Sequence, residues 1–146
     1  WIMQTAQEIG VRHSRRLTSL QPICKSDWEK AVQYDDEVGV SPSLSPAFES
    51  VSVPYRSLIP REVDGLLAPG RHVGCDTSSH TFMREIPQCW LTGQAAGVGA
   101  ALAAKGGLPP RAIDVRAAQL ELRKQGAYVR LPQEAAALRA EVGTEI

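Results

Sequence analysis

Asp64-Gly65-Leu66-Leu67-Ala68-Pro69-Gly70-Arg71, followed by Arg84 and then by Gly93-Gln94-Ala95-Ala96-Gly97, decides how this chain is read. Leu66-Leu67-Ala68 is a short apolar run, expected to be a buried strand that enters from the Asp64-Gly65 turn and stops at Pro69-Gly70. Further along, Pro87 suits a first helical position, because its missing N–H costs nothing there. Good helix formers continue to Lys105, and Gly106-Gly107 ends the run, so a helix over 87–105 is expected. A Gly turn followed by a helix rich in small residues lets backbone approach a flat ligand, with free helix N–H groups pointing at it.

Within that helix, Gly93 and Gly97 are four positions apart and share a face, with Ala96, Ala100 and Ala104 beside them. The stripe reads as close packing against a neighbouring element. It also reads as a means of fixing the helix N-terminus against a cofactor, with residues 83–86 in contact, and the two are compatible. The first turn of a helix carries unpaired N–H groups and partial positive charge, and Arg84 adds a full charge one turn away. Arg84 reads equally as half of an ion pair with Glu85 or Asp76.

On the C-terminal side, Pro109-Pro110 punctuates the chain before a last helix expected over 113–125 and closed by Gly126. Its apolar face would comprise Ile113, Ala117 and Leu120, with Val115 and Leu122 as further candidates. A tail over 132–146 reads as a short Ala-rich helix or a frayed end. On the N-terminal side, Val51 to Tyr55 alternates like a strand, with Pro54 arguing for an edge or a strand end. Gly39 to Ser50 (GVSPSLSPAFES) carries prolines and serines without periodicity and reads as a surface loop. Ser26-Asp27-Trp28-Glu29 is a capping box for a short helix to about Val32. Val11 to Leu20 reads as a strand along a polar cleft or edge, and residues 1–9 as a helix capped by Gly10. Four segments result: 1–38, a helix, strand and helix; 39–50, the loop; 51–131, the strand and long-helix segment; and 132–146, the tail.

A chain of 146 residues with 43% hydrophobic content can bury a core. Sixteen basic residues balance sixteen acidic ones, which removes the simplest electrostatic argument for nucleic acid. Ala95 to Ala104 is too short to span a bilayer, and no secretory pattern opens the chain, so a cytoplasmic setting is expected. Cys24, Cys75 and Cys89 are far apart and odd in number, which suits neither a disulfide framework nor a zinc knuckle. His13, His72 and His80 lack metal-ligand spacing, so no metal site is expected. Gly97-Val98-Gly99 echoes a dinucleotide loop but lies inside a helix without a preceding strand, and no P-loop is present.

The whole pattern resembles the C-terminal region of a family of FAD-dependent oxidoreductases. Val53-Pro54-Tyr55-Arg56-Ser57-Leu58-Ile59-Pro60 resembles the stretch just upstream of the family's flavin strand. Asp64 to Arg71 resembles that strand and its Gly-Arg turn, and Arg84 keeps the family's spacing to Gly93-Gln94-Ala95-Ala96-Gly97. Ile9-Gly10-Val11-Arg12-His13-Ser14-Arg15-Arg16 resembles an Arg-rich family segment. Asp114, Leu120, Leu122, Gln125 and Gly126 fit the closing helix. Two departures stand out: Phe82-Met83 where the family often has a Gly-Ser pair, and Asp64-Gly65 where it usually has Asn.

The resemblance implies an α/β fold, the C-terminal part of a Rossmann-type FAD-binding fold, incomplete without the N-terminal dinucleotide-binding half. It implies FAD as cofactor, contacted by Gly70, Arg71, Phe82, Met83, Arg84, Glu85 and Gly93. A small-molecule substrate would give up a hydride to the flavin in a dehydrogenase or oxidase. By the same resemblance His80 lines the active site, either as a general base or as an incidental polar residue. Cys75 and Cys89 are open to cofactor contact or simple burial. A larger chain carrying the Gly-rich half is the expected partner, in a hetero-oligomer. The alternative is a non-catalytic assembly subunit, favoured by the bulk of Phe82-Met83.

Overall fold

A computed structural model describes residues 11–13, 15–42 and 50–131. The expected helix over 1–9, the centre of the Ser/Pro loop and the tail lie outside the described residues.

The sheet is a single antiparallel pair. β1 (Glu37–Pro42) runs against β2 (Ser50–Pro54), with Gly39 opposite Val53 and Ser41 opposite Val51. The register shifts between Glu37 and Gly39, a bulge that admits Val38 as an extra residue. The expected loop from Gly39 is therefore strand as far as Pro42, because pairing with β2 satisfies backbone groups that serine and proline content alone would leave to solvent. Val38, Val51 and Val53 are buried, so the pair sits inside the core.

α3 (Ile86–Gly106) lies across this sheet. It starts one residue earlier than expected, with Glu85 as N-cap. It ends at Gly107, whose φ of 61° turns its N–H back to the last carbonyls. Contacts of α3 are close at two glycines. A Cβ on Gly39 would stand 2.6 Å from Leu91 of α3, and one on Gly99 would stand 2.5 Å from the Tyr55 hydroxyl. Gly93 and Gly97, the pair expected to pack, have nothing within 4 Å of such a Cβ.

α4 (Val115–Lys124) is capped by Asp114, whose carboxylate accepts from the Arg116 N–H at 2.9 Å. Its buried residues are Ala118, Gln119 and Leu122, whereas Leu120 is 45% exposed. The expected face is thus rotated: Leu122 three and four positions beyond Gln119 and Ala118 defines the stripe. Gln119 belongs to it because its Nε2 donates to the carbonyls of Asp35 and Glu37, at 2.8 and 3.0 Å. After Gly126 (φ 85°) the chain doubles back and straps residues 127–131 along β1. Glu37, 0% exposed, anchors the strap. It accepts from the Arg130 backbone N–H at 2.9 Å and from its guanidinium at 2.6 Å, while the Ser52 hydroxyl donates to the same carboxylate at 2.6 Å. An Asp36–Arg56 pair, both side-chain contacts at 2.9 Å, reinforces the same end of β1.

Two further expectations are corrected. The capping-box helix shrinks to α1 (Lys25–Trp28) with Cys24 as N-cap. Asp76 supplies the missing acceptor, taking the Lys25 N–H at 2.7 Å. Val11–Leu20 and Leu66–Ala68 are not strands among the described residues. Ser19 makes one isolated bridge with Pro60, and Ala68 makes one backbone bond to Leu58, where a ladder would need several. The chain is a mixed helix and small-sheet fold, compatible with α/β. No described helix is long and apolar enough to cross a membrane.

Candidate functional site

Three separate pieces of chain meet beyond the N-terminal end of α3. The first is the turn after Ala68. Gly70 takes a φ of 87°, a conformation that suits glycine, and its N–H donates to Thr92 of α3 at 2.9 Å. That bond ties the Gly-Arg turn to the first third of the helix, so Gly70, Arg71 and Gly93 are neighbours in space as well as in pattern.

The second piece is α2 (Thr77–Met83), with Asp76 as its N-cap. The Asp76 carboxylate accepts the Ser79 N–H as well as that of Lys25, both at 2.7 Å. Burial pushes this carboxyl upward, but the two amide donors, the Ser79 hydroxyl and Arg16 outweigh that and hold it below its ordinary value of 3.8. α2 turns Phe82 and Met83 into the core, where Phe82 meets Trp28 edge-to-face at 5.9 Å between ring centroids. The Trp28 Nε1–H donates to Ser79 at 2.9 Å. Phe82 and Met83 thus support the site from behind, and Arg84 and Glu85 emerge at the joint between α2 and α3. Their side chains pair at 3.4 Å, as one reading of Arg84 expected, while Asp76 is committed elsewhere. The Arg84 Nε is nevertheless buried with no hydrogen-bond partner.

The third piece, residues 11–13 with 15 and 16, lies over α2. The Leu17 N–H donates to the His72 carbonyl at 2.8 Å, Arg71 donates to the Val11 carbonyl at 3.4 Å, and Arg16 donates to Thr77 at 3.0 Å. His13 reaches His80 of α2, the ring centroids 4.8 Å apart at 71°. Loss of hydration, then repulsion from His80, Arg84, Arg12 and Arg16, holds the His13 imidazole below 6.5. No carboxylate forms an ion pair with Arg12, Arg16 or Arg71 among the described residues.

The result is a cationic rim of Arg12, Arg16, Arg71 and Arg84 around two imidazoles, next to the N-terminus of a 21-residue helix. No side chain caps that helix, so its first-turn amides keep their partial charge. Such a rim can hold an anionic or electron-rich ligand. The thiols contribute little: burial pushes Cys75 up to about 12 and raises Cys89, leaving both as neutral apolar groups. No group of His, Cys, Asp and Glu able to hold a metal ion occurs among the described residues.

Sequence reasoning flagged every piece of this rim separately. It missed the His13–His80 contact, because 67 residues separate the two and neither lies in a periodic pattern.

From the rim, the bare flank of α3 extends through Gly93, Gly97, Ala100 and Ala104, with Trp90 at 74% exposure beside it. The family model for FAD dependent oxidoreductase matches residues 44–122, more than half of the 146-residue chain, and includes the Gly70 turn, Arg84 and α3. No curated protein and no solved structure matches the chain.

Proposed function

The chain belongs to the FAD dependent oxidoreductase family, and on that premise we propose that it forms the C-terminal part of a flavin site at which an organic substrate is oxidised by hydride transfer. FAD is the cofactor of the family, and the residues of the rim fit it. The observation that carries this is the buried, unpartnered Arg84 Nε beside uncapped helix amides. A buried donor without an acceptor costs about 1–3 kcal/mol, and an acceptor brought by a ligand removes that cost.

Gly70, Arg71, Arg84, Glu85 and Gly93 would hold the cofactor, with Phe82 and Met83 backing them. Gly70 leaves room for it, since no atom lies within 4 Å of the position a Cβ would take. When bound, FAD accepts a hydride with its electron pair. The Arg84 charge and the α3 N-terminus favour the negative charge that accumulates there, and the Arg71 guanidinium adds to the same field. Arg12 and Arg16, across from α2, orient the electron-rich end of a small-molecule substrate. The reaction is that of a dehydrogenase or oxidase.

The partner in this reading is a larger chain carrying the Gly-rich half of the FAD site, in a hetero-oligomer. Leu66–Ala68, which has no ladder among the described residues, would join that partner's Rossmann-type sheet, and the bare flank of α3 would pack against it. The competing reading, a non-catalytic assembly subunit, drew on the bulk of Phe82 and Met83. Both side chains are at most 3% exposed, which keeps that bulk off the open side and supports chemistry.

The test is a visible absorption spectrum of the natively purified assembly, with a mass-spectrometric inventory of its chains. Flavin bands with a second, larger chain are expected. A flavin-free assembly contradicts the reading.

A further inference from the structure

The two imidazoles of the rim are not equivalent. His80 is 1% exposed, and its Nε2 lies 2.7 Å from the Arg71 carbonyl oxygen. A carbonyl only accepts, so the hydrogen of that bond sits on His80 Nε2. His80 Nδ1 then presents a lone pair, and it faces Nδ1 of His13 at 3.3 Å. Two lone pairs cannot share that contact, so His13 Nδ1 carries the second hydrogen and donates it. His13 is left with a bare Nε2 on an exposed ring.

The chain Arg71 carbonyl, His80, His13 thus fixes one tautomer of the outer imidazole through the inner one. Third-group orientation of a catalytic imidazole follows the same logic. The backing is rigid at its far end. Arg71 lies next to Gly70, which is bonded to α3, and α2 is capped by Asp76 one turn before His80.

We propose that His13 is the proton acceptor of this site and that His80 is the positioning residue which holds its Nε2 open. This rests on the hydride-transfer reading. A substrate of the form H–C–X–H, an alcohol or amine, would give its X–H proton to His13 Nε2. The C–H hydrogen would leave with its electron pair to FAD, the oxidant in that reading, and a C=X bond would form.

Among the described residues, the charged side chains that act on His13 are cations: Arg12 and Arg16 from its own segment and Arg84 from the α2–α3 joint, while the Arg71 guanidinium lies on the Val11 carbonyl. They disfavour a charged His13 at rest and keep it ready to accept. Asp76, the nearest capping acid, has its carboxylate on the Lys25 and Ser79 amides.

The test reads the tautomer directly, by two-bond proton–nitrogen correlation on the full chain carrying nitrogen-15 histidine. The expected result is His13 with hydrogen on Nδ1 and His80 with hydrogen on Nε2. In the His80→Phe variant, which keeps a ring and loses both nitrogens, His13 should revert to hydrogen on Nε2. Acylation of His13 by diethyl pyrocarbonate, followed by peptide mass spectrometry, should be several-fold faster than that of His72 and should slow in the same variant. His13 carrying hydrogen on Nε2 in the parent chain overturns the proposal, as does an acylation rate no faster than that of His72. A flavin-free assembly would instead overturn the functional reading on which the proposal rests. Flavin content is measured separately, so the two failures are distinguishable.

Discussion

The two flanks of α3 carry nearly the same residues and meet opposite fates. On one, Ala95, Val98, Gly99 and Ala103 are buried, and Gly99 is held against Tyr55 so closely that a methyl group would not fit. On the other, Gly93, Gly97, Ala100 and Ala104 face open space. Small residues at helical spacing therefore report that a surface can be approached closely, and the rest of the fold decides which flank is approached from within the chain. The same contrast extends outward. Behind the packed flank lies the sheet, locked by a buried carboxylate that accepts from both Arg130 and Ser52. At the N-terminal end of the bare flank lies a cationic rim with an unpartnered Arg84 Nε.

The packed side should be the costlier to disturb. Glu37→Ala removes the acceptor of the Arg130 guanidinium, the Arg130 N–H and the Ser52 hydroxyl together. Breaking a buried pair from one side costs about 3–5 kcal/mol, and urea denaturation should show a loss near the lower end, since Arg130 retains some access to water. Gly99→Ala should cost about 1–3 kcal/mol by overpacking against Tyr55, read as a lowered Tm. A neutral result for either substitution would remove the contrast between the two flanks.

Between the two regions stands Asp76, which caps α2 and so sets the position of His80. Asp76→Ala should cost about 1 kcal/mol in denaturant, and it should also release the His13–His80 contact seen by nuclear magnetic resonance. On the bare flank the sign reverses. Gly97→Ala meets nothing within 4 Å and should stabilise the chain by about 0.5–1 kcal/mol, because alanine loses less backbone freedom in a helix.

The smallest effect concerns pH. The folded chain holds His13 below its ordinary value of 6.5, so the unfolded chain binds its proton more readily in the interval between the two. Stability should therefore fall slightly as pH drops below 6.5, and His13→Asn should flatten that dependence in a series of Tm measurements.

Much of the site was legible from residue order. The Gly70 turn, Arg84 and the extent of α3 follow from glycine, proline and charge at fixed spacings, which are local signals. The strand expected at Leu66–Ala68 was not found among the described residues, because a strand is defined by a partner and the apolar run does not say which chain supplies it. The part of β1 from Gly39 onward reads as loop because serine and proline mask its pairing. Leu120 reads as inside because a turn of helix offers several apolar candidates, and the bonds of Gln119 to Asp35 and Glu37 choose among them only in three dimensions. Glu37 with Arg130, and His13 with His80, join positions 93 and 67 apart, beyond any local signal.

The most direct measurement is the flavin content of the natively purified assembly containing Gly93→Trp, compared with the parent. The position is open in this chain, so the substituted chain should fold and remain as stable as the parent. If the bare flank of α3 is where the flavin half docks, flavin should be lost while the chain stays folded. Full flavin retention with the tryptophan in place would contradict the account.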